Sequence, residues 1–398
     1  MRDKFPWYFL TDKDFEEAWD KGTLTVDANV LLDLYRYNKA TREALLGAIE
    51  SFKGRLWISF QTSNEFVKNR RKVILDAASE FEKSEKHFEE IMKSSQGQIS
   101  AIRGIRAVPK SVSEELEGSL KQAIETARAS IATEKSTTPE YESNDEVVAR
   151  LEAALAGNIG SKPGNLADLI KEAERRKKEK IPPGYMDDGK EGNGFAGDYL
   201  MWRQILDYGK QSKRPLILVT SEQKEDWWEK KSGKTLNARL ELLQEAHEET
   251  GSIILIYQTE RFLQIHQERA GEKANEDVLE DIREVSLQRE PAVKIVQEYY
   301  FADDSRNSGR IRVLLSRPVR NFTASGRFDP NMTTPPSISA KLLSSPTETP
   351  NITLRANTGT IFDFNIHLHS AERGKILPEG EYLLEYEAVC GSGPTSSD

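Results

Sequence analysis

Short apolar runs alternate with stretches of helical spacing over the first part of the chain. TLTVDANVLLDLYRY reads as a strand that ends at Val26 and turns into a helix carrying Leu31, Leu32 and Leu34. RLWISF, residues 55–60, reads as a second strand, and TSNEFVKNRRKVILDAA then takes up helical spacing. From Val67 the apolar positions Val67, Ile74, Phe81 and Phe88 recur every seventh residue, which predicts one long helix with a coiled-coil-like seam projecting from the sheet. Charged helical stretches continue to about Lys180, broken at Pro109, Pro139 and the loop GNIGSKPGN, so residues 75–185 form a helical insertion. The strand and helix alternation then resumes: helix DYLMWRQILDYGK, strand PLILVT, helix LNARLELLQEAHEE, strand SIILIYQ and helix TERFLQIHQ. Strands followed by helices predict a parallel sheet whose carboxyl-end loops make the site.

A charged segment, residues 271–289, reads as a helical linker. Beyond it the composition shifts to Ser, Thr, Pro and Asn among alternating apolar residues, and RIRVLLS, SISAKLL, NITLRA, FDFNIHLH and EYLLEYEAV read as strands. The expected architecture is therefore an α/β domain over residues 1–270, a parallel sheet flanked by helices with a large insertion. A C-terminal all-β, sandwich-like domain follows over residues 290–390, with a disordered tail at residues 391–398.

Composition narrows the function classes. No stretch approaches the roughly 20 apolar residues that cross a bilayer, and the opening MRDKFPWYFLTDKDF lacks a signal peptide's apolar region, so the expectation is a cytoplasmic protein with no membrane partner. The single cysteine, Cys390, excludes an internal disulfide and a cysteine-based zinc site, and the sequons at Asn321, Asn331 and Asn351 have no meaning in such a chain. A net charge of −9 denies the whole chain a basic footprint, so nucleic-acid binding has to be local or assisted by metal ions.

Four acids fall at loops that such a sheet brings together: Asp27 after the first strand, Glu65 at the helix after the second, Asp198 after the insertion, and Glu222 after PLILVT. Clustered carboxylates repel one another and call for a cation, and hard oxygen donors with few histidines favour Mg²⁺ or Mn²⁺. Each acid also has a local reading. Thr62-Ser-Asn-Glu65 is a capping box, Asp198 after Gly197 is an N-cap, and Glu222 is a solvated loop residue. Asp27, between a β-branched strand end and an apolar helix start, is the hardest to explain without a partner.

VDANVLLDLYR, NEFVKNR, IPPGYMDDGK followed by GFAGDYLMWRQIL, and PLILVTSEQKEDWW together resemble the PIN-domain nuclease superfamily, in particular bacterial PIN-like proteins with a long helical insertion. The likeness spans roughly residues 5–270. It implies a metal-dependent ribonuclease that releases a 3′-hydroxyl and leaves a 5′-phosphate, with Mg²⁺ or Mn²⁺ held by Asp27, Glu65, Asp198 and Glu222. Asn29, Thr220 and Ser221 would support them. The sequence departs from the pattern in two places: Asp27-Ala28-Asn29 stands for Asp-Thr-Asn, and Thr220-Ser221-Glu222 stands for Thr followed by an Asp pair.

Arg70 and Arg71 on the helix after Glu65, Arg175 and Arg176 in the basic run before PPGY, and Lys190 are candidate nucleic-acid contacts, against the alternative of solvated helix faces. Trp227 and Trp228 read as buried packing ahead of base stacking. His367 and His369 share a strand face but lack a third metal ligand. The leading function is a metal-dependent endoribonuclease, with RNA ahead of DNA as substrate, acting as a toxin or antiphage effector. Its β-domain would bind a regulatory protein or self-associate. The alternatives are a DNA nuclease with the same site, or a degenerate PIN-like scaffold whose β-domain binds a partner.

Overall fold

A computed structural model of the protein describes residues 1–137, 141, 143–186, 192–231, 234–289, 292–347, 349–372 and 374–390. The chain divides into two compact units, Met1–Ser286 and Leu287–Asp398. The tail expected at residues 391–398 lies outside the described residues.

In the first unit, α1 (Asp12–Lys21) starts at a reciprocal cap between Thr11 and Asp14 and leads into β1 (Thr23–Val26), α2 (Ala28–Asp33) and α3 (Lys39–Glu50). The strand expected at residues 55–60 is reduced to single parallel bridges, Leu56 to Leu24 and Ile58 to Ile159. Pairing stops there because Ser59 Oγ accepts the Thr62 amide and starts α4 (Phe60–Arg103).

Helix α4 and α5 (Lys110–Thr137) form an antiparallel hairpin crossed by the ion pairs Arg103–Glu117 and Arg128–Glu85. Ile74, Ile99 and Ile124 are buried, but Val67 is 69% exposed, so the sevenfold seam begins one repeat later than its spacing suggests. Two further helices, α6 (Glu146–Leu155) and α7 (Leu166–Glu179), complete the helical insertion.

The return to the sheet runs through α8 (Gly197–Ser212), β2 (Leu216–Thr220), a hairpin of β3 (Trp228–Lys231) and β4 (Lys234–Ala238), α9 (Leu240–Thr250), β5 (Ile254–Gln258), α10 (Thr259–Arg269) and α11 (Glu276–Arg289). The segment from Leu236, expected to be helical, is a strand up to Ala238 because its backbone pairs with Trp228–Lys231. Strands β1, β2 and β5 form a parallel sheet in the order β1-β2-β5. All of β1 and β2 is buried, as a strand covered on both faces must be. Ile217 and Val219 face one core with helices α1, α2, α3 and α10, while Leu216 and Leu218 face a second with α8 and α9. Val278, Leu279, Ile282 and Val285 of α11 join the first core, so the segment read as a linker is a packed helix.

The second unit is all-β. An antiparallel sheet ordered β6-β7-β12-β9 is built from β6 (Val293–Ala302), β7 (Arg306–Leu315), β9 (Ser337–Ser344) and β12 (Gly380–Val389). A second, ordered β10-β11-β8, uses β8 (Asn321–Arg327), β10 (Ile352–Asn357) and β11 (Asp363–Ser370). Alternate residues of both sheets, among them Ile311, Val313, Phe322, Ile366, Leu384 and Tyr386, fill one shared core, which makes the unit a β-sandwich. Strands β6 and β8 were not expected from the sequence.

Core position and exposed seam differ in a measurable way. Ile217→Ala, in the middle strand and fully buried, should cost about 2–5 kcal/mol in urea denaturation. Val67→Ala should stay within about 0.5 kcal/mol; an equal loss at both would contradict this packing.

Candidate active site

Asp27 is the first residue past β1, and its amide donates to the Val219 carbonyl of β2 at 2.9 Å, which fixes it where the two strands end. Its side chain is 4% exposed. Oδ2 accepts from Thr220 Oγ1 at 2.9 Å and from Asn29 Nδ2 at 3.3 Å. Asn29 Nδ2 also reaches Glu222 Oε1 at 3.2 Å, and the Glu222 amide donates to Thr220 Oγ1 at 3.1 Å. Asp27, Asn29, Thr220 and Glu222 are thus one connected group at the carboxyl end of the sheet. Ser221 points the other way, donating to Asp33 Oδ2 at 3.1 Å within hydrogen-bond distance of Thr259. It braces the loop.

Asp198 approaches this group from α8. The helix starts at Gly197 with Ala196 in the cap position, so Asp198 lies in the first turn and is not the N-cap. Its Oδ2 receives Trp227 Nε1 at 3.2 Å and lies 3.4 Å from Lys224 Nζ, which is 2.9 Å from Glu222 Oε2. An ammonium therefore sits between two carboxylates whose side chains are each 14% exposed. Trp228 Nε1 donates to the Glu222 carbonyl at 2.7 Å. Both indoles are buried, as packing predicts, and each spends its one donor on the acidic site.

Sequence reasoning missed Lys224 and Asp226. Asp226 is fully buried, and its Oδ2 accepts the amides of Gly184 and Met186 at 2.9 and 3.1 Å, anchoring the PPGY turn. Gly184 has φ +94°, a backbone that favours glycine, and a Cβ there would come within 3.4 Å of Asp198 Cβ. The available signal was the KEDWW run itself, in which charged residues and paired tryptophans follow a buried strand.

Glu65 belongs to the second turn of α4. The cap is Ser59, three residues before Thr62, so the capping box expected at Thr62 and Glu65 does not form. Gln61 Nε2 donates to Glu65 Oε1, and that oxygen lies 2.6 Å from where a Cβ on Gly197 would stand. The carboxylate thus rests on the backbone next to Asp198, and a Cβ at position 197 would displace it from this position.

The electrostatics follow from this crowding. Burial, then the charge of Asp198, then that of Asp27 push the Glu222 carboxyl up to about 8, against the opposing pull of Lys224. Asp226 is raised by burial and by Asp198. Among the described residues no three His, Cys, Asp or Glu side chains stand as a ready-made metal cage. The donor set nevertheless fits a hard divalent cation. It consists of carboxylate oxygens, their mutual repulsion is relieved by positive charge, and an ammonium already lies between two of them.

The model of a family described as PIN like domain matches residues 23–242, over half of the chain. The chain belongs to the PIN-like domain family. Domains of this family are typically nucleases and generally use divalent metals, which implies a nucleic-acid substrate. No curated protein and no solved structure matches the chain. No helix among the described residues is long and apolar enough to cross a membrane.

The arginines expected to grip nucleic acid are mostly occupied in this PIN-like unit. Arg70 pairs with Asp145 and Tyr35, Arg175 with Glu172 and Glu179, and Arg176 with Glu245 and the Pro182 carbonyl. Arg71 is exposed along α4, and Lys190 lies outside the described residues. In the β-sandwich, His367 Nδ1 lies 2.8 Å from Thr323 Oγ1, and neither it nor His369 joins a metal-binding group among the described residues.

A raised carboxyl fixes the sign of a pH effect. Between the ordinary 4.5 and about 8 the folded chain holds a proton on Glu222 that the unfolded chain lacks, so metal-free stability falls as pH rises through that window. In EDTA, Glu222→Gln should flatten that decline and leave the variant the more stable at the alkaline end. Parallel curves for the two proteins would show that Glu222 is not under this strain.

Proposed function

We propose that the PIN-like unit is a metal-dependent endoribonuclease. The observation that carries this reading is the convergence of Asp27, Asp198 and Glu222 at the sheet's carboxyl end, with Lys224 as the cation between two of them. A divalent ion, Mg²⁺ or Mn²⁺, would be held by Asp27, Asp198 and Glu222, with Glu65 beside them. When bound, it supplies Lewis acidity to the phosphodiester and lowers the pKa of an attacking water.

The chain's own residues supply the rest. Thr220 and Asn29 hold Asp27 in one orientation, and Asn29 ties it to Glu222. Trp227 and Lys224 hold Asp198. Asp226 anchors the adjoining turn. Such prior ordering keeps the acids from rearranging when substrate arrives, which is what electrostatic stabilisation of a phosphoryl group in transfer requires. Glu222 in place of the usual Asp keeps a carboxylate in the group, so the departure from the family pattern costs no charge. The products would be a 3′-hydroxyl and a 5′-phosphate.

Nothing in this chemistry needs a 2′-hydroxyl, so a DNA nuclease with the same site is the second reading. A β-sandwich in the same chain supports a restrained enzyme, a toxin or antiphage effector in the cytoplasm whose activity waits on a regulatory protein or on self-association.

Matched RNA and single-stranded DNA should be incubated with the wild type and with an Asp27→Asn, Asp198→Asn double variant, in Mn²⁺, Mg²⁺ or EDTA. The expected outcome is cutting of RNA by wild type with metal, abolished by EDTA and by at least about a hundredfold in the variant, as removal of transition-state charge stabilisation gives. Cutting confined to DNA would select the second reading. Equal activity in the variant would remove these acids from the mechanism.

A further inference from the structure

Beside Glu65, a cavity of about 700 Å³ opens between the start of α4, the loop before α7, α7 itself and α8. Its size lies in the range of about 300–1,000 Å³ typical of small-molecule sites. Phe60, Leu166, Ile170 and Leu200 give it an apolar floor, and the amides of Gln61, Asn64 and Asn69 line its wall. Leu200 is buried and Leu166 and Ile170 pack against the same small cluster, so the floor is part of the folded framework. Lys68 and Lys162 stand at the exposed margin, and among the described residues neither makes an ion pair. Glu65 lines the cavity, and its carboxylate rests on the backbone at Gly197, one residue before Asp198.

Each component matches one part of a nucleotide. An apolar floor suits the face of a base, side-chain amides suit its polar edge, and two lysines at the rim suit phosphate oxygens. A half-open pocket of this size has room for a base only when that base is unpaired and unstacked. Arg70, Arg175 and Arg176 are tied up with carboxylates and Arg71 does not line the cavity, which leaves Lys68 and Lys162 as the cations facing this space. We infer that the cavity is a nucleotide subsite that takes one unpaired base of a single-stranded nucleic acid, with Lys68 and Lys162 on its phosphates. The inference rests on the nuclease reading for its purpose and on the cavity for its chemistry.

The test is binding by the full chain carrying Asp27→Asn, in EDTA, of a short fluorescein-labelled single-stranded RNA, its DNA counterpart and the matching duplex, by fluorescence anisotropy over a series of salt concentrations. Single strands should bind at least tenfold tighter than duplex, and the RNA and DNA arms report whether the sugar matters. Lys68→Ala and Lys162→Ala should each reduce the slope of log affinity against log salt by about 0.7, the value for one phosphate contact on a single strand. Leu166→Trp, which fills the floor, should weaken binding at least tenfold with the slope unchanged. The two lysine variants lie at the surface and keep the test decisive should the tryptophan variant fold poorly in a thermal melt.

No binding, a preference for duplex, or indifference to these substitutions overturns the subsite. Mn²⁺-dependent cleavage by chains with Asp27 intact separates the two readings. Cleavage at full rate with all three substitutions removes the subsite and leaves the nuclease. Single-strand binding that obeys the slopes, with no cleavage at all, removes the nuclease and leaves the subsite.

Discussion

Asp27, Asp198 and Glu222 bring three carboxyl groups into a region from which water is largely excluded, and the neighbouring structure is arranged around the repulsion that would follow if all three ionised. Strands β1 and β2 end side by side and bring Asp27 and Thr220 together through one backbone bond and one side-chain bond. Asn29 bridges Asp27 to Glu222, and the turn after β2 returns Lys224 and Trp227 to Asp198. Removing one partner of such a group costs more than the lost contact, because the remaining charge stays buried. The departure of Glu for Asp at position 222 is understandable in the same terms, since the longer side chain still reaches both Asn29 and Lys224.

The run KEDWW does more than its composition suggests. Lys224 offsets two carboxylates, Asp226 binds two amides of the PPGY turn, Trp227 donates to Asp198, and Trp228 fixes the Glu222 carbonyl. Buried tryptophans give these donors fixed positions, because the same rings that fill the core cannot move without opening it. Stability and site geometry are therefore coupled in this segment.

The sheet and the order of its elements were legible because β2 and β5 carry apolar runs, β1 is short and β-branched, and β1 and β5 lead directly into helices. The β-sandwich was legible in part. Strand β8 escaped notice because its inward positions are Phe322, Ala324 and Gly326, two of them too small to mark a hydrophobic face. Strand β6 escaped because its outward positions include Val296, Tyr300 and Phe301, which blur the alternation. Asp27 was readable from its unfavourable position between strand and helix. Glu65 and Asp198 were ambiguous locally, since capping explains an acid near a helix start equally well. Only the true helix starts, at Phe60 and Gly197, separate the two roles. Lys224, Asp226 and the indole donors act across long sequence separations, which no local pattern encodes.

The proposed nuclease reading makes these carboxylates a cation site, strained until a divalent ion is present. It is tested most directly by calorimetric titration of the full chain with Mn²⁺ at neutral pH, in two buffers of different ionisation enthalpy. With Glu222 raised to about 8, binding should release protons, seen as a difference in apparent enthalpy between the buffers, and Glu222→Gln should abolish that difference. Absence of Mn²⁺ binding, or binding without proton release, would contradict the account.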